Sequence, residues 1–180
     1  HGALGQVDLA YVACDHRDLS FEIDAVILAR QLHRFARPEL LIEALTHPSL
    51  ATATHNQRLE FLGDRVLGLL VAERLYSDYP TADEGQLSSS LHALVDKTAC
   101  ARVGEALGVG PALRLSPGET KTGGRRKAGV IADAVEALLA AVYLDGGLDA
   151  ARAFFQRAWA EELSAPPSRT VTNPKSALQE

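Results

Sequence analysis

The 180-residue chain is 47% hydrophobic and 23% charged, which is ordinary for a globular domain. Its 18 Lys and Arg against 23 Asp and Glu give a formal net charge of −5. This balance argues against a uniformly basic nucleic-acid-coating protein but leaves room for a local basic patch. No apolar run approaches the roughly 18 residues of a membrane-spanning helix, so no transmembrane helix is expected.

Cysteine and methionine usage bears on location and processing. The two cysteines, Cys14 and Cys100, are too few for a disulfide framework or a four-ligand zinc site. Since the N-terminus also lacks the basic-then-apolar pattern of a signal peptide, we expect a cytoplasmic protein in a reducing compartment. The chain has no Met, not even at position 1, so we expect a processed or shortened chain.

Three helices are predicted in the first half of the chain. Residues 1–20 show no clean periodicity and stay unassigned. Apolar residues at helical spacing predict a helix over 21–36, and a proline suited to a first turn begins a short helix over 38–45. A small polar loop covers 48–56. The longest apolar stripe covers 56–79 and is followed by a proline, which predicts the main helix of the fold.

The second half of the chain is also predicted to be helical. One helix is expected from residue 83 or 84 to 107, followed by a glycine-rich and proline-rich loop over 108–126. A strongly apolar helix covers 127–144 and ends at a Gly pair, and another covers 148–163. A Pro-Pro linker signal follows. No convincing alternating strand is present, so the predicted fold class is all-α, built by helix-on-helix packing.

Two pairs of acidic residues lie on helical stripes that also carry core residues. Glu60 and Asp64 are four residues apart, and Asp133 and Glu136 are three apart, so each pair lies on one helix face. The segment around the second pair is otherwise apolar and offers neither acid a basic partner. Each acid could still be a solvated surface charge. An alternative is that two helix faces meet at a polar pocket, since unpaired buried carboxylates are costly.

Four converging carboxylates would call for a cation. Like charges at that distance repel strongly unless a counter-charge compensates them. Hard divalent cations take oxygen ligands, and Mg²⁺ typically uses a few carboxylates together with water and substrate phosphate. Gly63 and Gly68 lower the helix propensity of the same segment, and a close approach of another backbone would offset that.

A basic loop precedes the second acidic pair. Residues 114–127 contain five cations and one acid, with several glycines. The spacing is not that of a phosphate-binding P-loop. A solvated charged loop is one interpretation, and contact with a phosphodiester backbone is the other. The second is favoured by the adjacent acids, because cations for phosphates then lie beside carboxylates for a metal.

These residues resemble the ribonuclease III endonuclease domain. Residues 56–67 (NQRLEFLGDRVL) are similar to its signature helix, and residues 131–138 (IADAVEAL) to its second acidic helix. Shorter motifs agree in order and spacing: ALTHPS at 44–49, DEG at 83–85, GETKTGG at 118–124 and YLDGG at 143–147. The resemblance covers about 32–163.

The resemblance also divides the chain. It implies that 21–164 is the endonuclease domain and that 165–173 is a linker. Residues 173–180 (NPKSALQE) resemble the opening of the double-stranded-RNA-binding domain of bacterial members, so 174–180 would be the truncated start of that domain.

The activity implied by the resemblance is Mg²⁺-dependent cleavage of double-stranded RNA by a homodimer, with Mn²⁺ as a possible substitute. Family members leave 5′-phosphate and 3′-hydroxyl ends with two-nucleotide 3′ overhangs, and they process ribosomal RNA precursors and messages. Weak sequence preference is expected, because A-form RNA is recognised mostly through shape, phosphates and 2′-hydroxyls.

The resemblance implies a role for each residue of this chain that matches a functional position in a family motif. Glu60, Asp64, Asp133 and Glu136 would be catalytic metal ligands, with Asp64 and Glu136 indispensable. Glu84 would lie near the catalytic valley and the dimer interface, and Phe61 would pack into the partner subunit. The RNA contacts would come from Asn56, Gln57, Lys121, Thr122, Gly123, Gly124, Arg125, Arg126 and Lys127.

One position departs from the family pattern. Gln57 stands where many members have Glu, one turn before Glu60. Glutamine supplies no negative charge but can hydrogen-bond a water or a 2′-hydroxyl. Two other interpretations stay open: a non-catalytic RNA-binding or dimerisation module, and an all-α Mg²⁺-dependent nucleotide pyrophosphohydrolase, which also clusters acids on facing helices.

Overall fold

The computed structural model describes residues 19–164, with side chains described from residue 23. The unassigned stretch before residue 19, the predicted linker and the predicted start of an RNA-binding domain lie outside the described residues. Within 19–164 the fold is all-α, as predicted, and the only β pairing described there is an isolated bridge between Thr46 and Arg114. Among the helices of the described residues, none combines the length and the hydropathy of a membrane-spanning segment.

Eight α-helices follow one another along the described chain. They are α1 Leu19–Leu32, α2 Pro38–Leu45, α3 Gln57–Asp78, α4 Glu84–Val95, α5 Lys97–Leu107, α6 Pro117–Lys121, α7 Ala128–Ala158 and α8 Ala160–Ser164. Two 3₁₀ turns, Pro48–Leu50 and Gly124–Arg126, lie in the connections.

Helix α7 forms the centre of the fold, and α3 packs along it more extensively than any other element. Between residues 131 and 142 every α7 residue except Asp133 is buried. A Cβ at Gly63 of α3 would lie 1.8 Å from the main-chain oxygen of Glu136, so only glycine allows this approach. The expected backbone contact is therefore confirmed at Gly63. The same expectation is wrong for Gly68, where an added Cβ would meet nothing within 4 Å.

The single helix predicted from residue 83 or 84 to 107 is wrong, because the structure contains two. Its start is right: Asp83 caps α4 by accepting a hydrogen bond from the main-chain N–H of Gln86. The helix then breaks at Asp96, whose backbone is extended at φ −68° and ψ 158°. The Asp96 carboxylate accepts from the main-chain N–H of Ala99 at 2.7 Å and so begins α5.

The predicted loop over 108–126 contains two short helical elements. Ser116 accepts a hydrogen bond from the main-chain N–H of Glu119, and Pro117 occupies the first turn, which together start α6. The 3₁₀ turn follows. The predicted boundary between the last two long helices corresponds to an interruption of α7 at Gly147, which has non-helical backbone angles of φ 77° and ψ −175°.

Candidate active site

Three of the four predicted metal ligands line one open cavity of about 770 Å³ between α3, α4 and α7. Glu60 and Asp64 reach it from α3, and Glu136 reaches it from α7. Asp133 stands one turn before Glu136 and is bonded to a lysine that lines the cavity. The two acidic stripes therefore meet, as their apolar surroundings predicted.

Glu136 is the most buried of these acids, with 7% of its surface exposed. Burial raises its pKa from the ordinary 4.5 to about 7, and the charges of Asp64, Glu60 and Asp133 add to that increase. Burial also raises the pKa of Glu60, with Asp133 as the next cause. Both shifts mean that negative charge in this cavity is unfavourable without a compensating cation.

Two of the acids are engaged by basic side chains. Lys97 donates from Nζ to Oδ1 of Asp133 at 2.9 Å, and Arg65 donates to the neighbouring Asp64. The expectation that Asp133 has no basic partner is therefore wrong. It failed because Lys97 stands 36 residues earlier in the chain, on a different helix. The hydrogen bond to Asp133 is also the largest cause of the raised pKa of Lys97.

The donor set suits a hard divalent cation. Four carboxylates on two helices offer oxygen ligands, and the raised pKa values of Glu60 and Glu136 indicate that a positive charge would be favourable there. In the side-chain positions described for residues 23–164, no group of three or more His, Cys, Asp or Glu is already arranged around an ion.

The remaining predicted site residues fall into different environments. Phe61 is 69% exposed and lies on the cavity rim, with the Arg65 guanidinium 5.6 Å from its ring centre. Gln57 is exposed and also lines the cavity. Glu84 is exposed on the first turn of α4, accepts a hydrogen bond from Ser88 and does not line the cavity. Asn56 is only 2% exposed, and its Nδ2 has no hydrogen-bond partner among the described residues.

The basic loop is divided between structural and free cations. The guanidinium of Arg125 donates to the main-chain oxygens of residues 110, 111 and 113. Lys127 donates to Glu119 and Thr122, and its bond to Glu119 lowers the pKa of that carboxyl. Lys121 and Arg126 are exposed, and neither side chain has a partner among the side chains described for residues 23–164 or the main chain of 19–164. Gly123 supplies a positive φ of 78°, and the buried Gly124 packs against Glu119.

The sequence reasoning missed five residues that line the cavity: His92, Ala93, Val95, Asp96 and Lys97. Of these, His92 and Lys97 are the two basic side chains. Lys97 had no clear signal, because the apolar periodicity from Val95 to Ala99 makes it resemble a surface position of one long helix. His92 had no signal either, because a histidine in an apolar helical stripe does not indicate a site.

Residues 37–163 match the family described as ribonuclease-III-like. Ribonuclease 3 of Dinoroseobacter shibae is 51% identical over 164 residues, which cover 90% of this chain and 71% of that protein. Ribonuclease 3 of Azorhizobium caulinodans is 47% identical over 161 residues, which cover 87% and 68%. Ribonuclease 3 of Rhodobacter capsulatus is 50% identical over 150 residues, and the match covers 82% of this chain and 65% of that protein.

Solved structures agree with these matches. One structure of the nuclease domain of ribonuclease III from Campylobacter jejuni, described for flexibility in a region involved in dimer formation, has a TM-score of 0.73 and 36% identity. The match covers 75% of this chain and 95% of that domain. Dicer from Giardia intestinalis aligns with a TM-score of 0.62 and 25% identity, over 83% of this chain and 20% of Dicer.

Proposed function

The chain belongs to the ribonuclease III family of endoribonucleases, and from that we propose that it hydrolyses phosphodiester bonds of double-stranded RNA with Mg²⁺. The proposed products carry 5′-phosphate and 3′-hydroxyl ends with two-nucleotide 3′ overhangs, and the proposed substrates are ribosomal RNA precursors and messages. The observation that carries the proposal is the meeting of two acidic helix stripes at one open cavity.

Glu60, Asp64, Asp133 and Glu136 would hold the metal. When bound, Mg²⁺ would supply an activated water and neutralise charge that develops on the phosphate. Glu136 would be the innermost ligand, since it is the most buried of the four. The Gly63 contact holds α3 against α7 at this level, so it fixes the distance between the two acidic stripes.

Lys121 and Arg126 are the cations of the basic loop that we propose to contact RNA phosphates. Both are exposed, whereas Arg125 and Lys127 hold the loop itself through hydrogen bonds. Gln57, on the cavity rim, would reach a 2′-hydroxyl or a water, and Thr122 and Gly123 would face the backbone beside Lys121. The buried Asn56 would act by supporting the start of α3, because its main-chain oxygen accepts from Glu60.

We also propose that two copies of the chain associate through the surface around Phe61. The Phe61 side chain is 69% exposed at the cavity, so one face of its apolar ring is in water. Packing against a second copy would cover that face, and Glu84 would lie near the same interface. In this proposal 21–164 is the endonuclease domain, 165–173 is a linker, and 174–180 begins an RNA-binding domain.

The test is cleavage of labelled duplex RNA and of nucleoside triphosphates in Mg²⁺ or Mn²⁺, with Asp64→Asn and Glu136→Gln as variants. We expect duplex cleavage that both variants abolish while they still fold and bind RNA. Glu105→Gln, which removes an exposed carboxylate outside the cavity, is the matched control and should cleave normally.

Two outcomes would replace the proposal. Hydrolysis of triphosphates with intact RNA would indicate a nucleotide pyrophosphohydrolase. Duplex binding with no cleavage in either metal would indicate a non-catalytic RNA-binding or dimerisation module.

A further inference from the structure

Lys97 occupies an unfavourable position within its own helix. It is the first residue of α5, immediately after the capping Asp96. The N-terminal end of a helix carries a partial positive charge, so a cation there is disfavoured, while an acid is favoured. The compensation comes from outside the helix, since Nζ of Lys97 lies 2.9 Å from Oδ1 of Asp133 on α7.

The influence of Lys97 extends beyond this pair. Burial raises the pKa values of Glu60 and Glu136, and the charge of Lys97 opposes part of that increase, so its ammonium acts on three of the four carboxylates. Within the described part of the chain it is the only Lys or Arg that lines the cavity. Arg65, the other engaged cation, is bonded to its immediate neighbour Asp64 and leans over Phe61.

The side chains of Lys97 and Asp133 differ in how much of their surface is exposed to solvent. The Lys97 side chain is 67% exposed, whereas that of Asp133 is 28% exposed. An exposed lysine on a flexible four-carbon stem contributes little binding energy to an ion pair and can leave it readily. Asp133 stays in place on the central helix. The pair is therefore an exchangeable contact in which the cation, and not the acid, moves.

We propose that Lys97 is the built-in counter-charge of the acid cavity, which compensates the carboxylates without metal and competes with a divalent cation for Asp133. The inference rests on the proposed metal-dependent function. Lys97 is thus a positioning residue that sets the metal affinity and the stability difference between the metal-free and metal-bound protein. An ammonium on Oδ1 of Asp133 repels a divalent ion that coordinates the same carboxylate, so each weakens the binding of the other.

The proposal predicts opposite changes in two measurements. In Lys97→Gln the metal no longer displaces or faces a positive charge, so the dissociation constant for Mn²⁺ measured by calorimetry should fall about tenfold. In EDTA the same variant should melt about 3 °C lower, because the carboxylates have lost their counter-charge. Lys97→Arg keeps the charge and should restore both values towards those of the unchanged chain.

Arg102→Gln is the matched control. Arg102 lies on the same helix and forms a similar ion pair, with Nε and a terminal nitrogen at 2.7 and 2.6 Å from Glu162. Its partner is not in the cavity, so its loss should lower the melting temperature without changing Mn²⁺ affinity.

The outcomes separate this inference from the function on which it rests. Unchanged or weaker Mn²⁺ binding by Lys97→Gln, with binding and cleavage intact in the unchanged chain, overturns the role of Lys97 alone. A chain that binds no Mn²⁺ and cuts no duplex RNA overturns both. A tenfold tightening with lowered metal-free stability supports the inference.

Discussion

Replacing Glu136 with Gln is expected to stabilise the metal-free protein at alkaline pH. Burial and the other carboxylates raise the pKa of Glu136 from 4.5 to about 7. Since the folded pKa lies above the unfolded one, the folded protein binds this proton more tightly. The contribution to stability is therefore present at low pH and is lost as pH rises from about 4.5 to about 7. Glutamine is similar in size and uncharged, so it avoids this loss.

The magnitude follows from the two pKa values of Glu136. Each pH unit between them corresponds to about 1.4 kcal/mol. Ionised Glu136 therefore lowers the free energy of unfolding by about 3 kcal/mol at pH 8, and by about 1 kcal/mol or less at pH 5. With 7% of its surface exposed, the residue gains little screening from solvent. Glu136→Gln should thus unfold at a higher urea concentration than the unchanged chain at pH 8 and at nearly the same one at pH 5.

Urea unfolding followed by circular dichroism in EDTA measures this difference. Glu105→Gln removes one exposed negative charge elsewhere and should change stability by less than about 0.5 kcal/mol at either pH. Added Mg²⁺ should then stabilise the unchanged chain much more than Glu136→Gln, which lacks one ligand. Equal or lower stability of Glu136→Gln at pH 8 in EDTA would refute the reasoning that uncompensated carboxylates oppose folding in this cavity.

Three further predictions follow from single contacts. Gly63→Ala should lower the free energy of unfolding, measured with urea, by at least about 2 kcal/mol, because its Cβ would clash with the facing main chain. Gly68→Ala should raise the free energy of unfolding by about 0.5–1 kcal/mol, because its Cβ would meet nothing and alanine favours the helix. Arg126→Gln should weaken duplex binding and lower the slope of log affinity against log salt concentration by about one. Arg125→Gln should mainly lower the melting temperature, because the main-chain oxygens that its guanidinium bonds lose their donor. Phe61→Asp should shift sedimentation from dimer to monomer, and an unchanged dimer would contradict the proposed interface.

The main helices could be predicted because they obey local rules. The apolar stripe of α3 recurs at helical spacing, and the acids on α3 and α7 stand out against their surroundings at steps of four and three. The break at Asp96 could not be predicted in the same way. Apolar periodicity continues through Val95 to Ala99, so a single aspartate between them resembles a surface position of one long helix. Only its hydrogen bond to Ala99 identifies it as a cap.

The sequence shows where the charged residues are, but it does not predict which groups each of them bonds in the fold. The sequence identifies the basic loop as a unit, yet its cations act differently because Arg125 lies close enough to three main-chain oxygens to hold the turn. The pairing of Lys97 with Asp133 joins positions 36 residues apart on different helices. Such pairings depend on how α5 packs against α7, which no local pattern of residue types encodes.

In the proposed function, these charges would link metal binding to RNA binding. Without metal the cavity is lined by carboxylates that repel phosphate, and the neighbouring cations are engaged, Lys97 by Asp133 and Arg65 by Asp64. A divalent cation would offset part of the carboxylate charge and free the Lys97 ammonium at the cavity mouth. Metal would thus make the same surface less repulsive to a phosphodiester. The formal charge of −5 is consequently a poor guide to the RNA affinity of the metal-bound protein, because several of its acids would then be compensated.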